Sequence, residues 1–95
     1  MSAYLIFTRE KTIDEKELAI YWREIKATFT GYDVRVLAAY GEHEDLEGPP
    51  TEGTVLAEFP TMEEARAWYD SPSYCEVRQH RVRGAVYRGT LVAGI

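Results

Sequence analysis

A single cysteine, Cys75, stands in 95 residues. That excludes an internal disulfide and any site built from paired cysteines, and it suits the cytoplasm, where thiols stay reduced. Long apolar runs are missing too. No stretch reaches the roughly 18 residues a spanning helix needs, and the N-terminus has no signal-peptide pattern. Basic residues are scarce: 11 Lys and Arg face 16 Asp and Glu, for a formal net charge of −5. Neither nucleic acid nor an anionic membrane is therefore expected as a partner. Histidine is limited to His43, in an acidic loop, and His80, among arginines; both read as solvated side chains. No phosphate-binding glycine loop, paired-cysteine metal site or Ser-His-Asp order is visible, so no cofactor or metal is expected.

What is present is apolar and aromatic. Hydrophobic residues make up 45% of the chain and aromatics 13%, including seven tyrosines and two tryptophans. This is enough for one small core, so residues 1–95 read as a single domain. The tyrosine surplus points to an interface or a pocket, because large amphipathic rings are favoured at both. Charge is segregated: residues 42–64 hold eight acids and no Lys or Arg, while from Arg66 onward five arginines face two acids.

Residues 3–9 read as a strand with apolar residues at both parities. Asp14 suits a helix N-cap, with Glu15 and Glu17 in the first turn. Leu18, Trp22, Ile25 and Phe29 follow as one stripe, and Gly31 suits a left-handed stop. Residues 34–40 form a second strand. The segment 41–53 is a long acidic connection with room for a short extra strand near 45–47. Residues 54–59 form a third strand, ended by Pro60. Thr61 and Glu64 are spaced as a capping box. Ser71-Pro72 breaks the helix and restarts it, Gly84 stops it, and residues 86–93 form the last strand.

The order β-α-β-β-α-β predicts an α+β ferredoxin-like fold with a four-stranded antiparallel sheet and both helices on one face. The strands nevertheless carry apolar residues on both parities. A second copy is the simplest cover for the other face, giving a homodimer joined through the sheet faces, a dimeric α+β barrel.

The block Glu58-Phe59-Pro60, followed by Ala65-Arg66-Ala67-Trp68-Tyr69-Asp70-Ser71-Pro72-Ser73-Tyr74, resembles the family known as domain of unknown function 1330. The opening Ala-Tyr strand, a helix carrying Tyr21, and Leu46-Glu47-Gly48 extend the resemblance to about residues 2–94. The resemblance implies the dimeric α+β barrel superfamily, whose members include small monooxygenases, lactone isomerases and stress-response proteins. The family carries no settled activity, so it transfers no catalytic residue. The acid-rich, two-proline loop at 42–52 departs from the family pattern.

Strand parity supplies the site candidates. Phe59 belongs under the helices, so Glu58 faces the other way, into the barrel lumen. In the second strand Arg35, Leu37 and Ala39 form one set, and Val34, Val36, Ala38 and Tyr40 the other. Glu58 and Arg35 are the candidate catalytic pair, a carboxylate and a guanidinium in a partly dry space. Arg88 shares that face. Tyr4 and Trp22 are candidate walls, and Tyr40, Tyr69, Ser71 and Tyr74 further ligand-binding candidates. The expected function is a small-molecule-binding protein or cofactor-free enzyme, with a small organic ligand in the lumen beside helix one. The alternative is a non-catalytic dimeric module that acts through its surface.

Overall fold

The computed structural model describes residues 2–95. Strand β1 (Ala3–Thr12) leads through Asp14 into helix α1 (Glu15–Glu24), which tightens into a 3₁₀ turn over Ile25–Phe29. Strands β2 (Arg35–Ala39) and β3 (Gly53–Phe59) follow, then helices α2 (Met62–Tyr69) and α3 (Pro72–Gly84) and strand β4 (Ala85–Ala93). The sheet order is β2-β3-β1-β4, all antiparallel. This is the ferredoxin-like arrangement that the element order implies. Among the described residues no helix is long and apolar enough to cross a membrane.

The local stops and starts have local causes. The Asp14 carboxylate accepts the Lys16 N–H at 3.0 Å. The Thr61 hydroxyl accepts the Glu64 N–H at 3.1 Å. Ser71 accepts the Tyr74 N–H at 3.3 Å, with Pro72 in the first turn of α3. Gly31 has φ 87, the left-handed conformation that lets the chain leave the 3₁₀ turn. The connection 40–52 carries no strand; Asp45 organises it instead, accepting from both the N–H and the hydroxyl of Thr51.

The register fixes the faces. Ala3, Leu5 and Phe7 of β1 lie opposite Phe59, Ala57 and Val55 of β3. These residues pack under the helices with Tyr21, Ala65, Trp68, Tyr74 and Val77. Tyr4, Ile6 and Thr8 lie opposite Glu58, Leu56 and Thr54 and face away from the helices. In β2 the parity expectation fails. Arg35 pairs with Glu58 and Val36 with Ala57, but Ala38 pairs with Leu56 and Ala39 with Val55. Leu37 is the extra residue of a bulge, so Arg35 and Ala38 share the open face while Val36 and Ala39 turn to the helices.

In α1 the most deeply buried ring is Tyr21, 1% exposed, whereas Trp22 is 37% exposed at the helix border. His80 also departs from the expectation of a solvated side chain. It is half-buried, and its Nδ1 lies 2.5 Å from Glu17 Oε2, tying α3 to α1. The two helices are in tight contact at Gly84. Its carbonyl accepts the N–H groups of Ile13 and Asp14, and a Cβ added there would sit 2.8 Å from Leu18 Cγ and 3.0 Å from the Leu18 backbone nitrogen. Gly84→Ala should therefore destabilise the fold by about 1–3 kcal/mol through overpacking. Urea denaturation checks this; an unchanged or raised midpoint would show that α1 and α3 can separate without cost.

Candidate functional site

The sequence candidates divide between the two faces of the sheet. On the open face Arg35, Glu58, Tyr4 and Val92 form one row across the strands. Arg35 Nη1 lies 3.6 Å from Glu58 Oε1; the Arg35 side chain is 74% exposed and that of Glu58 only 19%. Arg88 is on the same face but opposite Thr8, at the other end, where it approaches Glu10 at 3.8 Å. It does not join the Glu58–Arg35 pair.

Trp22 and Tyr40 are on the helix side, separated from Glu58 and Tyr4 by the thickness of the sheet. Trp22 borders a cleft of ≈ 540 Å³ between α1, the 3₁₀ turn and the sheet. Its walls include Leu5, Phe7, Ile25, Phe29, Val55 and Trp68, and among the described residues Lys26 is its one charged lining residue. The Trp68 indole N–H donates to the Thr28 hydroxyl at 3.0 Å, and that hydroxyl donates to the Ile25 carbonyl at 2.6 Å. This relay fixes the 3₁₀ turn against α2 and gives the cleft a rigid wall. The second strand's Val36 and Ala39 close its outer side, which only the bulge allows.

Tyr40 directly follows β2 with φ 57, an uncommon left-handed position for a residue other than glycine. Its ring packs edge-on to Trp22, with centroids 4.9 Å apart, and over Gly53, where an added Cβ would lie inside the ring's contact distance. Its hydroxyl meets that of Tyr87 at 2.5 Å, and the Arg9 guanidinium lies 4.8 Å from the ring centre. Tyr74 stands at no cleft mouth: it is fully buried, and its hydroxyl meets that of Tyr21 at 2.9 Å. Ser71 spends its hydroxyl on the start of α3 and on the Trp68 carbonyl at 2.7 Å. Tyr69 is half-buried beneath the Arg78 guanidinium, 4.5 Å from the ring centre. His43 stays within the acidic loop, its Nε2 3.3 Å from the Thr51 carbonyl and 3.6 Å from the Asp45 carboxylate.

The model of one family, described as Domain of unknown function (DUF1330), matches residues 2–95. The chain belongs to that family. No curated protein matches it. Among solved structures it is similar to a protein of unknown function from Rhodopseudomonas palustris, at 17% identity and TM-score 0.77, covering 99% of this chain and 82% of that one. It is similar also to a dimeric ferredoxin-like protein of unknown function from Thermobifida fusca, at 13% identity and TM-score 0.67, covering 99% and 92%. A third is SnoaB, a cofactor-independent oxygenase from Streptomyces nogalater, at 7% identity and TM-score 0.64, covering 99% and 93%. At these identities the likeness shows the ferredoxin-like fold.

Within this DUF1330 domain the sequence reading missed Thr28, Arg9, Tyr21 and Tyr87 as neighbours of the cleft. Their partners lie far along the chain, and no local spacing marks them. The buried tyrosines have a measurable consequence. Burial, reinforced by the facing Tyr74 hydroxyl, pushes Tyr21 far above the ordinary tyrosine value. Burial and Tyr87 do the same for Tyr40, and burial raises Tyr74. The unfolded chain releases these protons near pH 10, while the native chain keeps them. The unfolded state then binds fewer protons, so stability is intact below about pH 10 and falls as pH rises beyond it. Tyr21 alone should contribute about 1.4 kcal/mol per pH unit to that fall. Tyr21→Phe should reduce the slope of unfolding free energy above pH 10 by this amount; an unchanged slope would mean that Tyr21 ionises normally in the native chain.

Proposed function

We propose that the protein binds a small, flat, largely apolar molecule in the cleft beside α1, as a binding protein or a cofactor-free enzyme, and that it works as a homodimer. The observation that carries the reading is the cleft itself. Its volume of ≈ 540 Å³ lies inside the range of about 300–1,000 Å³ usual for small-molecule sites. Aromatic and aliphatic walls favour a planar apolar body, and Lys26 at the rim offers one charge to orient it. Tyr32 brings a hydroxyl-bearing ring to the wall, and the Tyr40–Tyr87 hydroxyl pair lies behind Trp22. Similarity to a cofactor-independent oxygenase adds support for chemistry in which the protein supplies only a shaped, dry space.

The neutral bicyclic 1-naphthol is a suitable probe. It should change tryptophan emission saturably in the native protein. Ala39→Phe, which fills the cleft from the edge strand, should weaken binding about tenfold or more, through steric exclusion of the ring. A native protein that shows no saturable change would overturn the reading.

The homodimer rests on the open sheet face. Tyr4, Ile6 and Leu56 are only partly buried there, and Val92 is 45% exposed. Similar proteins described as dimeric support a second copy as the cover. In that assembly the Glu58–Arg35 pair lies toward the partner, where pairing compensates for the desolvation of the carboxylate. We assign it to holding the two sheets in register, with Tyr4 and Arg88 on the same interface. Light scattering at micromolar concentration should return twice the chain mass of 10.9 kDa. Leu56→Arg should return a folded monomer, and a native monomer would overturn the assignment.

A further inference from the structure

Leu5 and Phe7 have a second cavity on their far side, bounded by α2, α3 and the edge strand β4. Its volume is ≈ 390 Å³, and Phe7, Tyr69, Tyr87, Leu91, Arg66 and Arg81 form much of its wall. Arg81 is unlike any other basic residue of the chain. It sits in α3 with its side chain turned into the fold, and the residue is 7% exposed. The carbon of its guanidinium lies 4.5 Å from the centre of the Phe7 ring and 5.0 Å from that of Tyr87. Its Nε has no hydrogen-bond partner. Among the described residues no carboxylate pairs with it, while Arg9, Arg23, Arg35, Arg66 and Arg88 all have one.

An arginine cannot shed its proton to escape burial. The aromatic rings stabilise the cation through their faces, but they accept no strong hydrogen bond from its N–H edge. Nearby tyrosine hydroxyls are neutral dipoles, and they leave the charge itself uncompensated. The other cation of the wall is already committed, because Arg66 Nη2 pairs with Asp70 Oδ2 at 2.9 Å. The Tyr74 hydroxyl is within hydrogen-bond reach of the Arg81 guanidinium, but its Nε is unpartnered and no carboxylate among the described residues balances its charge. A buried guanidinium of this kind on the wall of a cavity is the complement of a carboxylate, whose two oxygens match its fork of donors.

We propose that this cavity binds a small organic carboxylate with an apolar body, its carboxylate on the Arg81 guanidinium and its body against Phe7, Leu91 and Tyr69. The site opens beside the edge strand, where Gly89 carries no side chain and leaves room for the Phe7 ring. It is separate from the apolar cleft and stands whether or not 1-naphthol binds there.

The test is a titration of the full chain, followed by ¹H–¹⁵N correlation spectra, with benzoate, phenylacetate and isovalerate, and with benzamide as the neutral counterpart of benzoate. At least one carboxylate should shift the Arg81 Nε–H signal and the amides of Gly89 and Leu91 saturably. Benzamide should bind about tenfold or more weakly than benzoate, the difference expected for a hydrogen bond that loses its charge. Arg81→Met should abolish the carboxylate-induced shifts at Gly89 and Leu91. The proposal fails if none of the three carboxylates shifts these signals, if benzamide matches benzoate, or if the shifts are confined to exposed arginines such as Arg83 and Arg88. Should Arg81→Met not fold, the comparison of benzoate with benzamide on the native chain decides the matter alone.

Discussion

A four-stranded sheet has two faces, and the two crossovers of this chain place α1, α2 and α3 all on one of them. Everything else follows from that constraint. The helix-side residues of β1 and β3 are apolar, with Ala3, Leu5, Phe7, Ala57 and Phe59 nearly or fully buried. The opposite residues of the same strands are Tyr4, Ile6, Leu56 and Glu58, which are only partly covered by their own chain. Alternation gives each strand two jobs at once, because successive side chains point to opposite faces. The helix side closes a core and borders both cavities described above, and the open side leaves Tyr4, Ile6 and Leu56 only partly buried.

Aromatic hydroxyls occupy the region where the helix layer meets the sheet. Tyr21 with Tyr74 and Tyr40 with Tyr87 satisfy one another, so four rings bring apolar area into the interior without orphaning their polar ends. This answers part of the tyrosine surplus. Composition marks the seven tyrosines as signs of an interface or a pocket; four of them form buried or half-buried hydroxyl pairs, and of these Tyr87 also lines a cavity. The pairing also explains why Tyr74 has no free hydroxyl to offer a cleft mouth, although it lies close to the helix break where the sequence suggested one.

The legible parts of the fold were those with local causes. Pro60 with Thr61, Ser71 with Pro72, Asp14, and Gly31 each act within a few residues of themselves, and each marks a real boundary. The element order carried the topology, and parity put Glu58 and Arg35 on one face at pairing distance. The misread parts depend on a partner far along the chain. A bulge at Leu37 is set by the match of β2 to β3, and nothing in Arg-Val-Leu-Ala-Ala announces it. Trp22 and Tyr21 are adjacent on the border of the helical stripe, and the position of Tyr74 decides which of them is buried. His80 looked solvated among arginines until α1 brought Glu17 beside it. The lumen imagined for Trp22 and Glu58 together was in fact two spaces, because the sheet lies between them.

That separation constrains how the chain can change. A substitution at Tyr4, Ile6 or Leu56 alters the open face of the sheet and leaves the walls of both cavities in place. A substitution at Leu5 or Phe7 does the reverse, and it touches both cavities together, because these two side chains stand between them. Phe7 is the tighter constraint. Its ring packs against Tyr87 at 6.4 Å between centroids, supports the Arg81 cation, and borders the cleft that Trp22 edges. A smaller residue there would merge two differently lined spaces and remove one ring face from a buried charge. The open face can therefore vary by changing every second residue of β1, while the walls of the helix-side cavities are bound to the residues in between.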